Sequence, residues 1–244
     1  MTAPEESAVN SQPQRGNVFN VAIEDICRRD GVEIPSIISR CVEEVERRGI
    51  EEVGIYRVSG SIADLNRLRR KFDVKPSSCA LHDVDIHCIT GLLKSFLRQL
   101  PVSLFTEKLY QDFINAFYSL GTGVVDAAEA DLTVDDRGRT LVTLFSRLPR
   151  VNQTILTYLF EHLLHISNKE AQNKMSLKNL ATVFGPTIVR SATLNSAGAD
   201  LKNFVSTGML DVAAQSGIIL FFLTRLKRRL PFRLPDQKLH FYQC

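Results

Sequence analysis

The chain has little of what many functional classes require. Its 244 residues include five cysteines, Cys27, Cys41, Cys79, Cys88 and Cys244, with no CxxC pair among them. That excludes an even disulfide framework and suits a reducing compartment, where a buried cysteine behaves as a small hydrophobe. The longest apolar run, Ile218 to Leu223, is six residues, against the roughly twenty that cross a bilayer as a helix. The acidic start, Met1-Thr2-Ala3-Pro4-Glu5-Glu6, has no apolar stretch of the kind that drives secretion, so no signal peptide is expected. A formal net charge of +3 is too small to argue for nucleic acid, which calls for a strong local basic patch. There is no GxxxxGK[ST] loop for a nucleotide phosphate. Nor is there an alternating strand pattern, an Asn-Gly hairpin signal or an internal repeat.

What is present reads as helix. Apolar residues make up 44% and charged residues 23% of the chain, ordinary for a soluble globular protein that can bury a sizeable core. Residues 1–16 are rich in Glu, Ser, Gln, Pro and Asn and read as disordered. Order is expected from Val18-Phe19, with Phe19, Val21, Ile23 and Ile26 as the first apolar contacts. A helix starts at Pro35, carries Ile37, Ile38, Cys41, Val42 and Val45 at helical spacing, and is expected to end in a left-handed cap at Gly49. Ser61 and Asp64 form a capping-box-like pair opening the next helix, whose stripe is Ile62, Leu65, Leu68 and Phe72. Arg67, Arg69, Arg70 and Lys71 crowd its carboxyl end, where cations favour the helix dipole. A third helix begins near Asp83 or Asp85 and stops at Pro101, its buried arc being Ile86, Ile89, Leu93, Phe96, Leu97 and Leu100.

Further helices are expected over 105–119, 137–148, 153–166 with Asn152 as its cap, 177–184 capped by Ser176 and closed at Gly185-Pro186, and 208–229. Residues 121–136 and 191–201 read as loops, the second as a mobile one. The expectation is one all-α domain, a single multi-helix bundle over residues 17–233, followed by a tail at 234–244.

Arg57 is the most informative residue. It lies on the turn Gly54-Ile55-Tyr56-Arg57-Val58-Ser59-Gly60 between two helices, where an extended side chain can enter another protein's pocket. An arginine beside a turn is by itself usually a solvated surface charge. Two later segments change that weighting. Lys94-Ser95-Phe96-Leu97-Arg98-Gln99-Leu100-Pro101 places two cations one helical turn apart, with Lys94 at the edge of the buried arc and Arg98 beyond it, so both are expected to face solvent on one side. Asn173-Lys174-Met175-Ser176-Leu177-Lys178-Asn179, running on to Gly185-Pro186, places Asn179 in the first turn of a helix and opposite its apolar stripe.

In this order and at these separations the segments resemble the Rho GTPase-activating (RhoGAP) domain. The stretch Cys41-Val42-Glu43-Glu44-Val45-Glu46-Arg47-Arg48-Gly49 is similar to the Bcr/Abr branch. The resemblance is dense from Pro35 to Arg190 and weaker to Phe232. It implies a RhoGAP-like bundle that activates GTP hydrolysis by a Rho-family small GTPase, Rac or Cdc42 before RhoA, in its GTP-bound form. The chain is then not an enzyme in its own right but an activator without a cofactor, since water, Mg²⁺ and the orienting glutamine belong to the partner. It maps the catalytic arginine finger onto Arg57 and GTPase-binding roles onto Lys94, Arg98 and Asn179. Arginine suits that chemistry because a planar, permanently charged guanidinium donates several fixed hydrogen bonds to phosphoryl oxygens. The alternative class is a scaffold that holds a GTPase without stimulating it, and retention of Arg57 weighs against it.

The chain departs from the family at Arg98-Gln99-Leu100-Pro101-Val102-Ser103-Leu104, where an acid and a second proline are common. It also lacks the additional domains of full-length Bcr/Abr proteins, so it is either a fragment or a short stand-alone relative. The spacing of Cys79, His82, His87 and Cys88 fits no common zinc pattern, and no metal site is expected. The basic run Arg225, Lys227, Arg228, Arg229 and Arg233 reads first as a solvated helix end, leaving peripheral contact with an anionic membrane open. The expected location is cytoplasmic, with recruitment to membranes alongside the GTPase.

Overall fold

The computed structural model describes residues 17–74, 76, 79–119, 136–191, 201–230 and 232, with side chains from 138 and 211 onward in the helices that open at 136 and 201. Among them are ten α-helices and no strand: α1 Ile23–Asp30, α2 Ser36–Arg48, α3 Ile62–Val74, α4 Ile86–Arg98, α5 Glu107–Tyr118, α6 Asp136–Arg147, α7 Arg150–Ser167, α8 Glu170–Asn173, α9 Leu177–Ile188 and α10 Leu201–Lys227. The readings at 1–16, 121–135, 192–200 and 234–244 fall outside the described residues.

The apolar stripes read for α2 and α4 become the core, whereas in α3 only Leu68 and Phe72 are buried and Ile62, expected in that stripe, stands exposed at the first turn of the helix. Ile37, Ile38, Cys41, Val42 and Val45 of α2 are buried, as are Ile86, Ile89, Leu93, Phe96 and Leu97 of α4. Helix α4 packs on α2, α3 and α9, while α10 packs on α9, α5 and α7. A second part of the core is aromatic, with Phe222 of α10 stacked on Phe160 of α7 at 5.9 Å and tilted against Phe145 of α6 at 5.1 Å. Burying rings of this size is the largest single hydrophobic contribution available to the fold. The entering chain is tied down where the Asp73 carboxylate accepts the main-chain N–H of Val18 at 2.8 Å.

Capping follows side-chain chemistry. The Asp85 carboxylate accepts from the Cys88 N–H at 3.0 Å to open α4. The Ser176 hydroxyl accepts from the Asn179 N–H at 3.1 Å to open α9, as its place in the sequence predicts. Ser61 accepts from the Asp64 N–H at 3.4 Å ahead of α3.

Several expectations are corrected. Gly49 is right-handed, with φ −118°, and a side chain there would meet Ile86 at 2.5 Å; close helix packing, not a left-handed cap, calls for glycine. Asn152 does not cap α7, which opens at Arg150 after Pro149. It is buried, and its amide donates to the Leu104 carbonyl at 2.9 Å. Helix α9 does not close at Gly185-Pro186 but runs on to Ile188 with the proline inside it. At Gly185 the backbone of α10 comes close, a Cβ there falling 2.6 Å from the Ser216 nitrogen. Helix α10 opens at Leu201, not near 208, because a lone glycine such as Gly208 costs a helix only about 1 kcal/mol.

Two helices were not expected. Helix α1 carries Glu24 and Asp25 in its first turn and Arg28 and Arg29 in its last, and ends on Gly31 at φ 67°, a dipole-matched pattern in only eight residues. Helix α8 is a single turn, too short for any period to register.

Candidate functional site

The turn between α2 and α3 divides sharply into an inner and an outer part. Ile55 and Tyr56 are completely buried, whereas Arg57, Val58 and Ser59 are exposed. The reversal depends on backbone that few residues adopt: Gly54 sits at φ 73° and Tyr56 at φ 69°. Gly54 fits for want of a Cβ, while for tyrosine the left-handed region is an outlier held by its surroundings. The Arg57 and Val58 N–H groups both donate to the Gly54 carbonyl at 2.8 Å, and the Gly54 N–H donates to the Asn173 carbonyl at 2.8 Å.

Three side chains hold Tyr56 from below. Its ring meets Phe184 of α9 edge-on, at 4.9 Å between centroids. Its hydroxyl lies 2.7 Å from Nε2 of the buried His162, whose Nδ1 lies 2.8 Å from the Glu46 carboxylate. A carboxylate only accepts, so the imidazole carries its proton on Nδ1 and accepts the tyrosine hydroxyl at Nε2. Burial holds His162 below its ordinary pKa, consistent with that neutral tautomer, and the hydrogen bond from His162 lowers Glu46. Finally, the Lys94 ammonium donates to the Tyr56 main-chain carbonyl.

Lys94 therefore does not face solvent beside Arg98 as its place on the helical wheel implied. It turns inward under the arginine turn, because a long side chain at the edge of a buried arc can reach a backbone acceptor. Burial, and secondarily the neighbouring Arg98, bring its pKa down to about 8. Arg98 does stay exposed, one turn further along α4. The side chains of both Arg98 and Arg57 are without a hydrogen bond or ion pair among the described residues, and the Arg57 guanidinium lies across Gly54, 3.6 Å from where a Cβ would stand.

Asn179 belongs to the same neighbourhood through the chain that precedes it. Its amide donates to the Lys174 carbonyl at 3.1 Å, one residue from the Asn173 carbonyl that takes the Gly54 N–H. Asn173 is completely buried. Its amide bridges the Ile50 and Ile166 carbonyls, each at 2.8 Å, and its side-chain oxygen accepts the Met175 N–H at 2.7 Å. It thereby ties the segment before the arginine turn to the end of α7 and the start of α9.

Sequence reasoning passed over Tyr56, His162, Glu46 and Asn173. Asn173 and Tyr56 stood inside the recognised motifs without a role. His162 lay hidden in an apolar helix, and only a histidine among Leu159, Phe160 and Leu163 hinted at a polar partner. Around Arg57 the exposed surface includes the apolar side chains of Val53, Val58 and Ile62. Among the described residues no cluster of His, Cys, Asp and Glu has the arrangement of a metal site, and no helix is long and apolar enough to cross a membrane.

An exposed arginine on a braced turn, flanked by a lysine–arginine helix and an asparagine-bearing helix end, defines a class, and similarity to known proteins names it. The RhoGAP domain family matches residues 35–193; the chain belongs to the RhoGAP family. Within that family it is a domain of the Bcr/Abr type. It is 37% identical over 219 residues to the breakpoint cluster region protein of Homo sapiens, covering 87% of this chain and 16% of that protein. It is 39% identical over 216 residues to the active breakpoint cluster region-related protein of Xenopus tropicalis, covering 87% of this chain and 23% of that protein. The chain thus spans less than a quarter of the length of these relatives. Its fold matches the crystal structure of human Rho GTPase activating protein 15 with a TM-score of 0.70 and 28% identity, over 93% of this chain and 99% of that one.

Proposed function

We propose that this protein accelerates GTP hydrolysis by Rho-family small GTPases in their GTP-bound form, with Rac and Cdc42 as the preferred partners, by inserting Arg57 into the partner's active site. The observation that carries the reading is the contrast at the turn: a backbone fixed on several sides presents one guanidinium that no group among the described residues engages. A finger must be pre-positioned yet free, and both conditions hold for Arg57. In the transition state of phosphoryl transfer, charge spreads over oxygens that the partner neutralises incompletely, and an arginine supplied in trans completes the site. Such fingers are worth about 10³–10⁵ in rate.

Lys94 then acts from beneath, bracing the carbonyl next to the finger. Arg98 and Asn179 contact the GTPase, and the apolar side chains of Val53, Val58 and Ile62 meet the partner's surface around the inserted arginine. Phosphate-release assays with Rac, Cdc42, RhoA and, as an outgroup, Ras test the proposal. Acceleration of Rho-family members at catalytic amounts of this protein is expected. Binding to the GTP-bound form without acceleration would identify a scaffold instead.

A further inference from the structure

Two side chains from distant parts of the chain line up behind Tyr56, the residue next to the finger. Glu46 stands on α2, His162 on α7 and Tyr56 in the turn, joined by hydrogen bonds of 2.8 and 2.7 Å. We propose that Glu46 and His162 are positioning residues for Arg57, acting through the Tyr56 hydroxyl to fix the height and direction of the turn from which the guanidinium projects. The inference rests on the reading of Arg57 as a finger.

The chemistry of the core makes the arrangement conspicuous. His162 is 2% exposed, and a leucine would fill an apolar helix face without the cost of burying a polar ring. Both ring nitrogens are used, one on Glu46 and one on Tyr56, so the histidine is oriented as well as buried. Glu46 is partly open to solvent and also faces Nδ1 of His165 at 3.5 Å; it anchors the line at its outer end. At the inner end, Tyr56 holds a left-handed backbone with φ 69°, a conformation that persists only where its surroundings impose it. Arg57 follows by one peptide bond, so a tilt of the Tyr56 ring is carried directly into the direction of the guanidinium. Phe184 contacts the same ring but, being apolar, supplies no directional bond.

A bond that served only to hold α2 against α7 would affect stability and leave the finger alone, and this difference is measurable in the full chain. Tyr56→Phe deletes one hydroxyl and keeps the ring in place, and Glu46→Ala removes the outer anchor at a partly exposed position. Each is expected to lower single-turnover GTP hydrolysis by Rac at saturating activator by about three- to tenfold, because small misplacements of a catalytic group are costly. Affinity for Rac loaded with a non-hydrolysable GTP analogue is expected to stay within about twofold. In an Arg57→Ala background the same substitutions should change the residual rate by nothing, since they act only through the finger. Combining Tyr56→Phe with His162→Leu, which leaves no unpaired polar atom between the two, should cost less than the two single effects together.

The inference is overturned if Tyr56→Phe and Glu46→Ala both turn over at the wild-type rate, if rate and affinity fall by the same factor, or if the loss persists without Arg57. Any of these with Arg57→Ala still inactive leaves the finger assignment standing. A near-normal rate for Arg57→Ala itself would instead remove both.

Discussion

The Lys94 side chain donates to the main-chain carbonyl of Tyr56, the residue immediately before Arg57, so a cation on α4 braces the turn that carries another cation outward. Burial and the neighbouring Arg98 lower the Lys94 pKa to about 8 from an ordinary 10.5, with two consequences of known sign. Between those values the unfolded chain binds more protons than the folded one, so the contribution of Lys94 to stability becomes more favourable as pH rises through this window. The activating function should move the other way. Raising pH from about 7 to about 9 discharges the lysine, and kcat/KM, which reports ionisations of the free proteins, is expected to fall with a midpoint near about 8 once the GTPase's intrinsic rate is divided out. Lys94→Arg should show no such fall, because a guanidinium stays charged. A wild-type profile that is flat across that range would contradict the assignment.

The role proposed for Arg57 separates catalysis from association. Arg57→Ala is expected to lower stimulated hydrolysis by about 10³-fold or more, while affinity for the GTP-analogue-bound partner falls far less, because the finger acts mainly in the transition state. Arg57→Lys should recover little, since a point charge cannot reproduce a planar fork of donors. Pull-downs add an independent readout: the wild type should prefer the GDP–aluminium-fluoride complex over the GTP-analogue complex, and Arg57→Ala should lose that preference. Near-normal turnover by Arg57→Ala would remove the finger assignment.

Asn173 is predicted to matter through stability. It is fully buried and makes three hydrogen bonds, so Asn173→Ala leaves the Ile50 carbonyl and the Met175 N–H without their partner, while the Ile166 carbonyl keeps the Lys169 N–H at 3.1 Å. Unsatisfied buried groups cost about 1–3 kcal/mol each, softened where the site relaxes. A total loss of ~3 kcal/mol is expected in urea unfolding, with the midpoint lowered and the slope unchanged. Asn179→Ala gives up only a partly exposed bond to the Lys174 carbonyl. It should lose under about 1 kcal/mol, and its effect should show in association with the GTPase.

The positions of these two asparagines show where sequence was sufficient. The helical class, the stripes of α2 and α4 and the Ser176 cap follow from local spacing and local hydrogen bonding, which a sequence displays directly. Arg57, Lys94, Arg98 and Asn179 could be singled out together as candidates because they lie in short, distinctive segments. What could not be read was long-range. The partner of His162 lies more than a hundred residues away at Tyr56, and Asn173 reaches Ile50 across a similar separation. Lys94 was misdirected on the wheel for the same reason, since its acceptor is a carbonyl of a distant turn. Short elements such as α1 and α8 fell below the length at which periodicity speaks.

Substrate preference is the last test, and it depends on the rim. In the proposed roles, Arg57, Lys94, Arg98 and Asn179 address features common to Rho-type GTPases, so selectivity would have to come from side chains at the margin of the contact. Candidates are the exposed Val58 and Ile62 beside the finger and Val102 in the divergent segment after α4. Rim contacts together shift affinity by about 1–2 kcal/mol, enough for roughly tenfold preferences. Activity on more than one Rho-family member is therefore expected, with Rac ahead of Cdc42 and both ahead of RhoA. Ile62→Asp, at a side chain that the fold does not use, should weaken association with all of them while sparing turnover at saturation. Side-by-side kcat/KM values on Rac, Cdc42 and RhoA decide the order. A preference for RhoA above about tenfold would show that the likeness to Bcr and Abr does not extend to the choice of partner, while leaving the role of Arg57 intact.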